Sequence, residues 1–249
     1  MKLHTIIILY SLLQSVTYAA TDKPDVYRVG AAALWHSEVY QATGSEVRLL
    51  PALYVKSGRW EFKFKTLKYH LINTEQFNLA PILDLDFNGY EADDSPYLAG
   101  MADRDFSVGL GLAADMRLGL IDIEASVQQD VTNHSDGLTA NLALGMTRPI
   151  TRQVIAGIKL DATYQDSDYS NYYYGVLSNE AKITRPAYTL GSTINPSLQL
   201  NVIYRLNRSW SVNSSVIYTQ LDGDIENSPI VEHGNETTIL LGISYQGLL

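Results

Sequence analysis

From Phe106 to Leu118 every second residue is apolar. Phe106, Val108, Leu110, Leu112, Ala114, Met116 and Leu118 form one register; Ser107, Gly109, Gly111, Ala113, Asp115 and Arg117 form the other. Successive side chains of an extended strand point to opposite faces, so the pattern predicts a strand with one greasy face and one small or charged face. It recurs in Val154 to Tyr164, where Val154, Ala156, Ile158, Leu160, Ala162 and Tyr164 oppose Gln153, Gly157, Lys159, Asp161 and Thr163. Leu198 to Leu206, Trp210 to Thr219, Leu138 to Met146 and Ile121 to Val127 repeat it.

A soluble β-sandwich alternates in the same way, but two features favour a membrane. The segments run about 10 to 13 residues, against the usual 5 or 6 of globular strands, which is the length of outer-membrane barrel strands. Aromatic residues also stand at the ends of the apolar faces, where interfacial girdles belong: Tyr27, Trp60, Tyr204, Trp210 and Tyr245 at one level, Trp35, Phe87, Phe106, Tyr164 and Tyr218 at the other.

Loop lengths set the topology. Leu206 to Ser209, Pro149 to Arg152 and Gly119 are short connections, whereas Leu221 to Asn235, Gln165 to Ile194 and Asn88 to Asp103 are long. Such barrels turn tightly in the periplasm and loop outside, with both termini inside. Counting each segment once gives an odd number of strands and leaves the N-terminus outside. Reading Trp60 to Lys65 and Lys68 to Asn73 as two short strands, joined by a tight turn near Thr66, restores parity at twelve; ten is the alternative count. The expected fold is therefore all-β, an antiparallel up-and-down transmembrane β-barrel over residues 20–249.

The ends and the composition agree with export. Met1 to Ala19 reads as a secretory signal, with Lys2 and His4 before an apolar run and Thr17-Tyr18-Ala19 at the cleavage site. That run is shorter than the roughly 20 residues of a spanning helix. The chain has no Cys, so neither disulfides nor thiolate metal sites are expected. A net charge of −9 without a polybasic stretch argues against nucleic acid as a partner. The partners expected from location are outer-membrane lipid and lipopolysaccharide.

The inward register of such a barrel carries both signs of charge: Arg48, Glu61, Lys63, Asp84, Asp86, Asp115, Arg117, Asp122, Glu124, Lys159, Asp161 and Arg205. These form either a salt-bridged interior that fixes the barrel's shape or the lining of a narrow pore, since about twelve strands is intermediate between filled and channel-forming sizes. The longest loop holds Tyr172, Tyr173, Tyr174 and Gly175, a candidate contact surface or a plug folded back into the mouth. The acidic stretches Glu91 to Asp94 and Asp222 to Glu226 face outward, as cation holders or as solvated loops. Asn133-His134-Ser135-Asp136 and His36-Ser37-Glu38 place Ser beside His, but neighbours in extended chain point to opposite faces, and no G-x-S-x-G or H-E-x-x-H spacing occurs. Neither catalysis nor a cofactor is expected.

Several stretches resemble the MipA/OmpV family of outer-membrane proteins. They are Leu98-Ala99-Gly100-Met101-Ala102-Asp103-Arg104, Tyr173-Tyr174-Gly175-Val176 with Glu180-Ala181 and Tyr188, Ser228-Pro229-Ile230-Val231, and Gly242-Ile243-Ser244-Tyr245. Pro51-Ala52-Leu53-Tyr54 followed by Gly58-Arg59-Trp60 is similar to the family's second hairpin. One departure is the C-terminus, Tyr245-Gln246-Gly247-Leu248-Leu249, where such barrels usually end on an aromatic residue. The resemblance implies a non-enzymatic barrel in the outer membrane of a Gram-negative cell. It also implies a role as a scaffold for murein-remodelling enzymes, as an adhesin for an outer ligand, or as a porin-like channel.

Overall fold

A computed structural model describes residues 25–45 and 47–248. The expected signal Met1 to Ala19, and the segment from Ala20 up to Pro24, lie outside the described residues. The period-2 segments all form strands: β1 (Val26–His36), β2 (Val47–Ser57), β3 (Trp60–Lys63), β4 (Thr66–Tyr69), β5 (Ile72–Asn73), β6 (Phe77–Asp86), β7 (Ser107–Leu118), β8 (Ile121–Asp130), β9 (Leu138–Pro149), β10 (Val154–Gln165), β11 (Thr193–Arg205), β12 (Trp210–Gln220) and β13 (Asn235–Leu248). Each pairs antiparallel with its sequence neighbour; β1 pairs with β13, and β4 closes onto β6. Because β4 and β5 both pair with β6, they are two pieces of one strand, and the closed barrel has the expected twelve.

The break between β4 and β5 has a sequence cause. Leu85 N–H donates to the Lys65 carbonyl and Leu71 N–H to that of Leu79, so the odd positions of β6 turn their backbone groups toward this strand. Pro81 is an odd position without an N–H, and there the ladder steps from Lys68↔Ile82 to Ile72↔Leu79. Three residues thus face two, a bulge placed where a ladder bond cannot form. The turn of the short hairpin falls on Phe64–Lys65, slightly earlier than the sequence reading placed it, with Phe64 in the left-handed region (φ 48°).

The outer belt is as patterned. Leu110, Leu112, Leu142, Leu160, Leu200 and Leu241 are exposed on one face of their strands, while the alternate register is buried or half-buried inside. Trp210 packs on its cross-strand partner Tyr245 (5.3 Å) and Tyr245 meets Tyr27 (6.3 Å), joining three of the aromatic residues expected at the terminal end. Phe87 and Phe106 stand 6.1 Å apart at the opposite end. No described helix is long and apolar enough to cross a membrane; the strands make the crossing.

Candidate functional site: a capped polar lumen

The outer end is covered by a second core. Val39 and Tyr40 from the first loop, Tyr90, Leu98 and Met101 from the loop after β6, Val176 and Leu190 from the longest loop, and Ile225, Ile230 and Val231 from the last loop are all buried together. The longest loop also contributes a helix, α1 (Ser167–Tyr174), which the sequence reading did not anticipate. Asp166 caps it by accepting the Tyr169 N–H (2.9 Å), and the same carboxylate accepts the Leu138 N–H (2.9 Å), seating the helix on β9. Tyr169, Tyr173 and Tyr174 are buried, but the helix has only eight residues and its other positions are Ser, Asp, Asn and Tyr172, so its period is too short to stand out in the sequence.

Polar contacts lock this cap. Arg104 donates to both Glu180 oxygens (3.0 and 3.0 Å), to the Tyr172 carbonyl (2.6 Å) and to that of Ala102 (3.0 Å), and its guanidinium lies over the Tyr90 and Tyr172 rings. Both side chains of this pair are nearly fully buried. Burial pushes the Glu180 carboxyl up, but the N–H groups of Ala102 and Leu177 and the Arg104 guanidinium outweigh it and hold the group below its ordinary value. Arg185, 1% exposed, donates to the carbonyls of Tyr97 and Glu180, tying the long loop to the loop after β6. Three of the stretches that carry the family resemblance converge here, since Leu98, Met101, Arg104, Tyr173, Tyr174, Val176, Glu180, Ile230 and Val231 all belong to the cap, while residues 242–245 lie on β13 and residues 51–60 on the β2–β3 hairpin.

The candidate contact residues are therefore placed in the interior. Tyr173 is 0% exposed and Tyr174 5%, Gly175 is buried, and only Tyr172 is partly open. Burial pushes the Tyr173 and Tyr174 hydroxyls well up, so both stay neutral, Tyr173 donating to the Asp105 carbonyl and Tyr174 accepting from Asn88.

Beneath the cap lies a cavity of about 220 Å³. Tyr169 and Tyr174 form its ceiling, and its walls include Asp84, Asp86, Lys159 and Asp161 among the sequence candidates. Asp84 accepts from Lys65 (2.9 Å) and Thr66 (2.5 Å); Asp86 accepts from Tyr169 (2.7 Å) and the Asn88 N–H (3.1 Å); Asp161 accepts from Asn141 (3.0 Å) and Ser197. Lys159 reaches down to Glu124 (3.4 Å). Lower in the barrel Asp115 meets Lys68 (3.4 Å) and Arg117 meets Asp122 (2.7 Å). Arg205 is exposed at the end of β11, at the periplasmic rim rather than deep in the lumen. Of the inward set, Asp84, Asp86, Lys159 and Asp161 line the cavity, Asp115, Arg117, Asp122 and Glu124 form a lower paired group, and Glu61 pairs with Lys56 and His70. Lys65, Lys68, Gln165, Asn195 and Glu236 were missed. The parity of β4 would have found Lys68 had the turn been placed two residues earlier, whereas Lys65 lies in the turn itself.

The serine–histidine stretch has another explanation. Asp130 accepts the N–H groups of His134, Ser135 and Asp136 and the Ser135 hydroxyl (3.0 Å), while the His134 ring bonds the Phe106 carbonyl (2.7 Å). It is a carboxylate-anchored loop in which Ser135 and His134 face different partners. The acidic loop stretches likewise serve the backbone: Asp94 accepts the Glu91 N–H and Asp222 that of Asp224. Among the described residues no group of three or more His, Asp or Glu is gathered as metal ligands.

A closed twelve-stranded barrel with an apolar belt between aromatic rings, tight turns at one end and packed loops at the other is an outer-membrane β-barrel protein. The family model described as MltA-interacting protein MipA matches residues 29–247, and the chain belongs to that family. The outer membrane protein OmpV of Vibrio cholerae serotype O1 is 32% identical over 174 residues, 68% of this chain and 65% of that protein, so the match takes in just under two thirds of that relative. The outer membrane protein YiaT of Escherichia coli O157:H7 is 23% identical over 239 residues, 94% of this chain and 96% of that one. Among solved structures, an outer membrane channel from Pseudomonas putida F1 aligns over 95% of this chain and 100% of that chain, with 12% identity and a TM-score of 0.49. The protein is located in the outer membrane, as its relatives are.

Proposed function

We propose that this protein is a gated, solute-binding barrel, a narrow channel held shut at its outer mouth by the cap. The observation that carries this reading is the polar cavity directly under the cap, walled by hydroxyls, amides and charges of both signs and roofed by Tyr169 and Tyr174. A barrel needing only rigidity would be served as well by apolar filling, because buried polar and charged groups cost free energy unless paired. Small polar molecules match the cavity's volume and its donor and acceptor groups. Liposome swelling with small neutral and cationic solutes tests this. Permeation should rise when the cap is loosened, and Asp161→Asn with Glu236→Gln should lower the preference for cations. Identical swelling in all variants would overturn the reading.

A second reading, docking of murein-remodelling enzymes, is favoured by the family description, which names an MltA interaction. The turns on the side of the termini are short: Gly58–Arg59, Gly119–Leu120 and the loops 150–153 and 206–209. A docking surface there would have to be built from several turn edges together. Retention of a purified lytic transglycosylase by the refolded barrel supports this reading, and its failure to bind removes it.

A further inference from the structure

The barrel wall is incomplete on one side. The hairpin β3–β4 has four residues in each arm, whereas its flanking strands β2 and β6 have eleven and ten. Its tip lies level with Leu53, whose carbonyl accepts the Phe64 N–H. Above that point β2 continues from Ala52 to Val47, paired with β1 on one side, while on the other side no strand ladder among the described residues joins it to β6. The missing width is two strand spacings, roughly 10 Å. Outward leucines flanked on both sides, such as Leu112, Leu142, Leu160 and Leu200, are 49–57% exposed, whereas Leu49 on this edge is 81% exposed. Leu53 sets the phase of the backbone, so Pro51 turns its N-substituted side toward the gap, where an unpaired donor would otherwise face lipid.

The β6 margin of the gap borders the cavity, and the β2 margin is backed by a packed cluster. On the β2 side Leu34, Leu50, Tyr54 and Leu240 form an apolar cluster with Phe64 from the hairpin tip packed against it, bounded by Arg48 on the same face of β2 and by Arg28 over the Tyr54 ring. On the β6 side Lys65 and Asp84, at the tip of the hairpin, are themselves part of the cavity wall. The cavity lining contains four carboxylates, Asp84, Asp86, Asp161 and Glu236, against two ammonium groups, Lys65 and Lys159. Among the described residues no ion pair reaches Asp86, Asp161 or Glu236. The Gln128 side-chain carbonyl, in the same wall, has no hydrogen-bond partner among them.

We infer that the gap above the β3–β4 hairpin is a lateral portal through which a single-chain amphiphile with a protonated amine head passes between the outer leaflet and the lumen. The amine docks among the cavity carboxylates, and the chain lies along the apolar wall of β1, β2 and β13. The sealed upper mouth makes the side the open approach from the membrane, and the excess of acceptors selects a cationic, hydrogen-donating head over an anionic one. The inference rests on reading the lumen as a binding cavity and adds the route and the ligand class.

The test uses the full barrel refolded in neutral liposomes, with Trp35, Trp60 and Trp210 changed to Phe and Tyr54→Trp as the inner reporter. An alkylammonium and an alkyl sulfate, each carrying a nitroxide on the chain, are titrated as quenchers. The reporter should be quenched at a several-fold lower membrane mole fraction of the ammonium probe. A second reporter on the outer face, Leu112→Trp, should be quenched alike by both. A six-residue insertion between Phe64 and Lys65, lengthening each arm to the level of Leu50, should abolish quenching of the inner reporter and leave the outer one unchanged. Equal quenching by the two probes overturns the ligand class, and quenching that survives the insertion overturns the portal. A barrel that passes small polar solutes in liposome swelling but shows no gap-dependent quenching refutes this inference while leaving the gated-channel reading standing.

Discussion

Replacing Arg104 by Ala should unlatch the cap without unfolding the barrel. The guanidinium makes two bonds to Glu180 and two to carbonyls, with both partners' side chains 6% and 4% exposed. Truncation strands a buried carboxylate, and breaking a buried pair from one side costs about 3–5 kcal/mol. At about 1.4 kcal/mol per factor of ten, the population with an open cap rises by roughly two to three and a half powers of ten. The barrel's hydrogen-bonded ladder does not pass through Arg104, so the loss is local. Trypsin reports it at the Lys182–Ile183 bond, because Lys182 is tied to the Ala99 carbonyl in the closed cap beside the fully exposed Ile183, whereas Arg185 is followed by Pro186 and resists cleavage. Cleavage there should accelerate at least a hundredfold, while heat-modifiable gel mobility still shows a folded barrel. The pair Arg104→Met with Glu180→Leu removes both charges and should bring the rate back to within about tenfold of the original, since apolar replacement of a buried pair is often nearly neutral. Cleavage of Arg104→Ala at the unmodified rate would refute the reasoning.

Acid should act through the same latch. The Glu180 carboxyl is held below its ordinary value in the folded cap, so its stabilising contribution is complete at neutral pH and is lost as pH falls through that lowered value; tryptic-type nicking by an acid-active protease should rise below the carboxylate range and stay flat from pH 6 to 8. Gly137→Ala places a methyl group 2.5–2.7 Å from the Tyr169 backbone and Cβ, so α1 must shift; amide exchange over Ser167–Tyr174 should quicken while that of β9 does not. On the lipid face Leu112→Arg, midway along β7, should cost about 2–4 kcal/mol in urea unfolding from liposomes, and Ile121→Arg at a strand end about 0–1 kcal/mol. Equal midpoints for the two would contradict the assigned depth of the belt.

The barrel was legible because its signal is repeated in every strand. Alternation, strand length and aromatic ends act on each segment separately, so they survive in the sequence without any knowledge of pairing. Even the odd pair of short strands followed from parity. Pro81 was visible too, but its consequence, a bulge opposite His70, needs the register. The cap was not legible. Leu98, Met101, Ile225 and Ile230 lie in segments without period, and their common burial comes from four loops meeting in space rather than from a local pattern. Apolar residues in loops expected to face water were the available hint. The candidate charges were placed by parity alone, and parity does not reveal which of them meet at the cavity, because that depends on shear around the closed barrel. The short hairpin was predicted, yet the gap it leaves in the wall emerges only when its tip is set against Leu53.

The account stands most directly on the gate. Single-channel conductance of the refolded chain and of Arg104→Ala, side by side in planar bilayers, measures it. The account predicts a mostly silent unmodified barrel and frequent discrete openings in the variant. An unmodified barrel that conducts steadily, or a variant with a loosened cap that is just as silent, would contradict it.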